Sequence, residues 1–149
     1  MSGLHSKNRE SFLASKKCDS PLLEAYSLLV VIELAAKDYL FRHESSKRWR
    51  DRHSIDKLLN DLVPLLPVRR PSQEPLHSLG QQLYTLLTKI RCTDEKTGGP
   101  RNVKSYPDLR YLRFDSDFGT KHKESKHLNG IISIAREILD ALESSRVDI

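Results

Sequence analysis

The chain holds only two cysteines, Cys18 and Cys92, far apart and in no ligand-like spacing. This excludes a disulfide framework and a cysteine-based zinc site, and it fits reduced thiols in a cytoplasmic protein. Long apolar runs are also missing. The longest, Leu28 to Ile32, stops at Glu33, far short of the roughly 18 residues that a membrane span needs. The stretch from Met1 to Lys17 is polar and mixed in charge, unlike a secretory signal. There is no HExxH, Cys-x-x-Cys, GxSxG, P-loop or GxGxxG. A zinc or nucleotide-fold enzyme therefore has no support, and no metal or cofactor is expected.

What is present suits one folded domain spanning residues 1–149. Apolar residues make up 38% and charged residues 30%, too apolar for a disordered chain and too charged for a membrane protein. The net charge of +5 is compatible with an anionic partner. The excess is clustered. Arg42 to His53 contains five Lys or Arg, and Arg110 to His127 contains another five.

Four helical segments are expected. Ser20 and Pro21 suit the N-cap and first position of a helix running to about His43. Its apolar residues cover nearly the whole circumference, which places it at the centre of a bundle. Ser54 caps a second helix bearing Ile55, Leu58, Leu59, Leu62 and Leu66 on one stripe, limited by Pro64 and Pro67. A third covers Leu76 to Arg91, with Leu76, Leu79, Leu83, Leu86 and Ile90 at bundle-seam spacing. The fourth covers Ser125 to Ser145. Residues 1–18 read as a polar leader, with Asn8 to Lys17 compatible with a short leading helix. Residues 92–124 read as a long irregular connection, of a length usually reserved for function. The fold class is all-α, an up-and-down bundle of four main helices.

Two stretches could carry chemistry. Lys47 to His53 follows the central helix; its cations can complement that helix's dipole or contact phosphates, with Trp49 available for stacking. Tyr106 to Arg113 combines aromatic rings with Arg110 and Arg113. It can cap the bundle or grip an anion bidentately. Asp115 to Gly119 only faintly resembles a calcium loop, because Lys126 stands where the required glutamate would be. His122 and His127, five apart, point about 140° from each other on a helix and cannot share an ion.

Three of these stretches resemble the HEPN family (higher eukaryotes and prokaryotes nucleotide-binding). Ala25-Tyr26 through Ile32-Glu33-Leu34-Ala35-Ala36-Lys37 to Leu40 looks like its long second helix. His53-Ser54-Ile55-Asp56-Lys57-Leu58-Leu59 is similar to its His-x-x-x-x-Leu-Leu segment. Tyr106-Pro107-Asp108-Leu109-Arg110-Tyr111, followed by a last amphipathic helix, looks like the Arg-Tyr-Pro region of the nucleotidyltransferase-associated branch. The resemblance implies a helical bundle that often forms homodimers. It also implies either a metal-independent endoribonuclease of toxin or defence systems or a binding module for a partner nucleotidyltransferase.

The ribonuclease branch carries Arg-x4–6-His before its last core helix. Arg48 and His53, like Arg70 and His77, have that spacing but precede earlier helices, while Arg113 and His122 are nine apart. The expected function is therefore a non-catalytic or degenerate HEPN-like protein. It would bind RNA, a nucleotide or a partner nucleotidyltransferase through Arg48, Arg50, Arg52, His53, Tyr106, Arg110, Arg113, Lys121 and His122. A metal-independent ribonuclease, with Arg113 and His122 as the catalytic pair, is the first alternative. A helical protein-protein adaptor is the second.

Overall fold

The computed structural model describes residues 21–44, 52–66, 74–94, 96–111, 118–145 and 147; the side chains of residues 74–75, 110–111 and 118–125 fall outside that description. The architecture is an all-α bundle of four helices with one two-stranded hairpin. The leading segment Asn8 to Lys17, Cys18 and the Ser20 cap lie outside the described residues.

Helix α1 spans Pro21–His43. Eleven of its 23 residues are buried, over about two thirds of the circumference at 100° per residue, while Leu23 and Phe41 are exposed on the remaining side. The helix packs against the second and fourth helices and is one wall of the bundle, not the central element that its apolar composition suggests. Ala25, Leu29, Ile32, Ala35, Ala36 and Leu40 are fully buried. Burying each Leu or Ile side chain contributes about 1.5–3 kcal/mol. The basic end of α1 is locally explained, since Arg42 pairs with Asp38 one turn back and Arg42 and His43 favour the helix dipole.

Helix α2 spans Ile55–Leu62 and tightens into a 3-10 turn over Val63–Leu65. Pro64 cannot donate to the helical ladder, and Leu66, standing before Pro67, is extended at ψ 137°. Ser54 stands at the N-cap but makes no side-chain cap. Its hydroxyl instead donates to the Asp56 carboxylate. The Tyr39 hydroxyl donates to the Leu65 carbonyl at 2.7 Å, fixing α1 to the end of this turn.

Helix α3 spans Glu74–Leu87, shorter at its C-terminal end than the sequence suggests. Thr88, Lys89 and Ile90 tighten the chain, and Arg91 opens strand β1 (Arg91–Thr93) rather than closing the helix. Ile90 remains fully buried, so its place in the apolar seam survives the change of backbone. Gly80 allows α3 to approach α2 closely, because a Cβ there would stand 3.3 Å from the Asp56 Cα.

The described residues between 92 and 124 hold regular elements where an irregular connection is expected. Strand β2 (Pro100–Asn102) pairs antiparallel with β1, with Cys92 opposite Arg101. Gly98, at φ 71°, supplies the left-handed turn residue. A 3-10 helix follows over Tyr106–Tyr111. Helix α4 then runs from Phe118 to Ser144, beginning seven residues before the expected Ser125. Its buried face is Leu128, Ile131, Ala135, Ile138, Leu139 and Leu142. Phe118 and Gly119, the end of the stretch that faintly resembles a calcium loop, belong to this helix.

Helix α4 packs against both α1 and α3. Arg136 pairs with Glu24 in the first turn of α1, and Leu86, near the end of α3, lies against Gly130.

Candidate functional site

Glu33 is the one acid among the buried residues of α1, with 7% of its surface exposed. A buried carboxylate needs charge partners and donors, because desolvation otherwise outweighs any gain. Glu33 has three. Lys37, one turn on, approaches Oε1 at 3.1 Å. His53 Nδ1 lies 2.7 Å from the same oxygen. The Tyr106 hydroxyl donates to Oε2. Tyr106 is itself buried, and its ring meets Tyr26 edge-on at a centroid distance of 5.5 Å.

The carboxylate therefore joins segments 20 and 73 residues away in sequence. It also has a chemical consequence for His53. A carboxylate at Nδ1 favours the proton on that nitrogen and leaves Nε2 as the acceptor. The His53 side chain is 54% exposed, so the imidazole is anchored from below and open to solvent above. Its neighbour Arg52 is paired with Asp61 of α2.

A second lock sits behind Tyr106. Arg101 of β2 makes a bidentate pair with Asp108, both bonds at 2.9 Å. The Lys104 backbone N–H also donates to Asp108, at 3.0 Å. The Arg101 hydrogen bond holds the Asp108 carboxyl down at about 2, against the opposing effect of burial. Arg101 is correspondingly pushed up. This pair fastens the hairpin to the 3-10 helix and so holds Tyr106 at its position. Cys92, on the neighbouring strand, is fully buried, and that burial pushes its thiol pKa up. It is a packing residue rather than a nucleophile.

Of the residues singled out in the sequence, His53 and Tyr106 meet at Glu33. Arg52 adjoins them. Arg110 lies in the 3-10 helix, and Lys121 and His122 lie inside α4 rather than ahead of it. Arg48, Trp49, Arg50 and Arg113 fall outside the described residues. Among the described residues no three His, Cys, Asp or Glu side chains are grouped to hold a metal, and no helix is long and apolar enough to cross a membrane. Sequence reasoning missed Glu33 as the junction. The available signal was an acid set directly after the longest apolar run, Leu28 to Ile32.

No family model, curated protein or solved structure matches the chain. The likeness noted in the sequence rests on its three quoted stretches alone.

Proposed function

We propose that the chain is a degenerate, non-catalytic HEPN-like protein that binds single-stranded RNA or a nucleotide through a basic surface. The observation that carries this reading is the double use of the Glu33 carboxylate. One oxygen takes His53, which ends the first basic stretch, and the other takes Tyr106, which opens the second. Lys121 and His122 stand in the first turns of α4, and cations of this kind suit a phosphate backbone.

Five or six phosphate contacts would make affinity for single-stranded RNA fall by about two to three decades between 50 and 200 mM salt. The test is a titration of labelled single-stranded RNA and of nucleotides at both salt concentrations. Replacing Arg110 and Arg113 by Ala should weaken binding and flatten the salt dependence with little change in melting temperature. Unchanged binding in that variant would move the surface elsewhere. No binding at 50 mM would reject the reading and leave a docking role towards a partner protein, for which the family resemblance suggests a nucleotidyltransferase. The homodimer it also suggests is checked by sedimentation.

A second reading is metal-independent RNA cleavage, and it is favoured by one observation, the anchoring of His53 on a buried carboxylate. An imidazole so held can take a proton from a ribose hydroxyl at Nε2. On this reading His53 replaces His122 as the acid-base group. RNA cleavage that persists in chelator and is lost in His53→Ala would support it; intact RNA in the wild-type reaction would reject it.

A further inference from the structure

The hairpin turns one face to the core and one to solvent. On its first chain Ile90 and Cys92 are buried, while Lys89 and Arg91 are exposed. On its second chain Val103 is buried, while Asn102 and Lys104 are exposed. The register sets Arg91 opposite Asn102. The Val103 N–H donates to the Ile90 carbonyl at 2.8 Å, which carries the pairing beyond the two strands. Lys104 is then the diagonal neighbour of Arg91, about 7–8 Å away in a regular ladder. Lys89, Arg91, Asn102 and Lys104 thus share the outer face.

These four positions hold three cations and no acid. Elsewhere the cations have carboxylates: Lys37 has Glu33, Arg42 has Asp38, Arg52 has Asp61, Arg101 has Asp108 and Arg136 has Glu24. Lys89, Arg91 and Lys104 have none among the described residues. Two carboxylates near the hairpin are already engaged. Asp108 holds Arg101 and accepts from the Lys104 backbone N–H. Asp94 accepts from the Lys96 backbone N–H. Lys89, just past the end of α3, favours that helix's dipole; nothing in the fold calls for Arg91 or Lys104. Like charges on one sheet face repel, so the face works against its own stability and in favour of an anion.

The form of the face decides the kind of anion. The cleft beside Lys104 encloses no space, even for a water molecule, so a small ligand has no pocket there. The exposed large apolar residues among the described ones are Leu23, Phe41 and Tyr84, all on helices. The hairpin face therefore lacks the apolar side chains that a membrane-surface site inserts. Cations spread over an open face, with one amide between them, suit an extended polyanion whose phosphates lie across the strands.

We propose that the outer face of the hairpin is a phosphate-contacting part of the RNA surface, where Lys89, Arg91 and Lys104 meet the backbone of a single strand. The assignment rests on the RNA-binding reading above and adds three residues absent from the surface expected from sequence.

The experiment titrates labelled single-stranded RNA at 50 and 200 mM salt onto wild type, the triple variant Lys89→Gln/Arg91→Gln/Lys104→Gln, and Lys57→Gln, which alters an exposed lysine of α2. Each phosphate contact contributes about 0.7 to the slope of log affinity against log salt. The triple variant should lower that slope by about 2, so that its affinity falls about 20-fold less than that of wild type over this range. Lys57→Gln should keep the wild-type slope. The melting temperature of the triple variant should equal or exceed that of wild type, because repulsion is removed. A wild-type slope in the triple variant overturns the face and leaves the wider surface standing. So does a lower melting temperature, which would show that the cations hold the hairpin. The same slope loss per charge in Lys57→Gln also overturns it, by reducing the effect to net charge. No RNA binding by wild type at 50 mM overturns this assignment and the reading beneath it together; loss of binding to phosphatidylserine vesicles in the triple variant would then give the face to a membrane surface.

Discussion

Replacing Tyr106 by Phe deletes one hydroxyl from the Glu33 junction and nothing else. The ring stays buried and keeps its edge contact with Tyr26. What is lost is a hydrogen bond to a buried carboxylate, a class worth about 1.5–3 kcal/mol. For a chain of this length each kcal/mol moves the melting temperature by about 2–4 °C, so the variant should melt roughly 3–12 °C lower. Glu33→Ala should cost at least as much, because it strands the Tyr106 hydroxyl and releases His53 and Lys37. The double variant isolates the pair. If the hydroxyl and carboxylate bond each other, the two losses overlap, with a coupling energy of about 1–3 kcal/mol from urea unfolding. A coupling within about 0.5 kcal/mol of zero would mean additivity and would refute the junction.

Two further outcomes follow from single side chains. Val31 is 1% exposed inside α1, so Val31→Asp buries an unpaired carboxylate and should cost several kcal/mol; a variant with an unchanged melting temperature would show that this face of α1 is not in the core. Asp108 is held at about 2 against an ordinary 3.8 by Arg101, so it adds stability that is complete above pH 3.8 and disappears as pH falls through about 2. Asp108→Asn should therefore show a shallower loss of thermal stability between pH 4 and 2 than wild type, and parallel curves would contradict the clamp.

The sequence announces the helices by their apolar repeats, and it fails where geometry departs from the repeat. Ile90 sits three residues beyond Leu87 and points into the core whether the backbone is helical or turning, so its burial could not show that α3 had ended. The first turns of α4 fail in the opposite way. Phe118 to Glu124 carries no apolar repeat, and Gly119 and Thr120 are poor helix formers, so periodicity starts the element too late. The hairpin was hidden because its strands are three residues each, too short for an alternation to register. At the site, His53 and Tyr106 were visible as residue types able to contact an anion. Their meeting was not, since it depends on contacts spanning 20 and 73 positions.

Glu33 also ties the core to the surface. A leucine there would continue the apolar face of α1 but would leave the buried Tyr106 hydroxyl without its acceptor, which costs stability. The carboxylate fixes His53, just ahead of α2, and the 3-10 helix to one point. His53 is half exposed, whereas the 3-10 helix is also seated by Leu109, which is fully buried. Without Glu33, His53 would depend on the Arg52–Asp61 pair beside it, and Tyr106 on Leu109 and the Arg101–Asp108 pair. Partly exposed pairs of that kind hold geometry weakly. The buried acid thus determines how accurately His53 and Tyr106 are set, and any ligand that meets the exposed side of His53 depends on it without touching it.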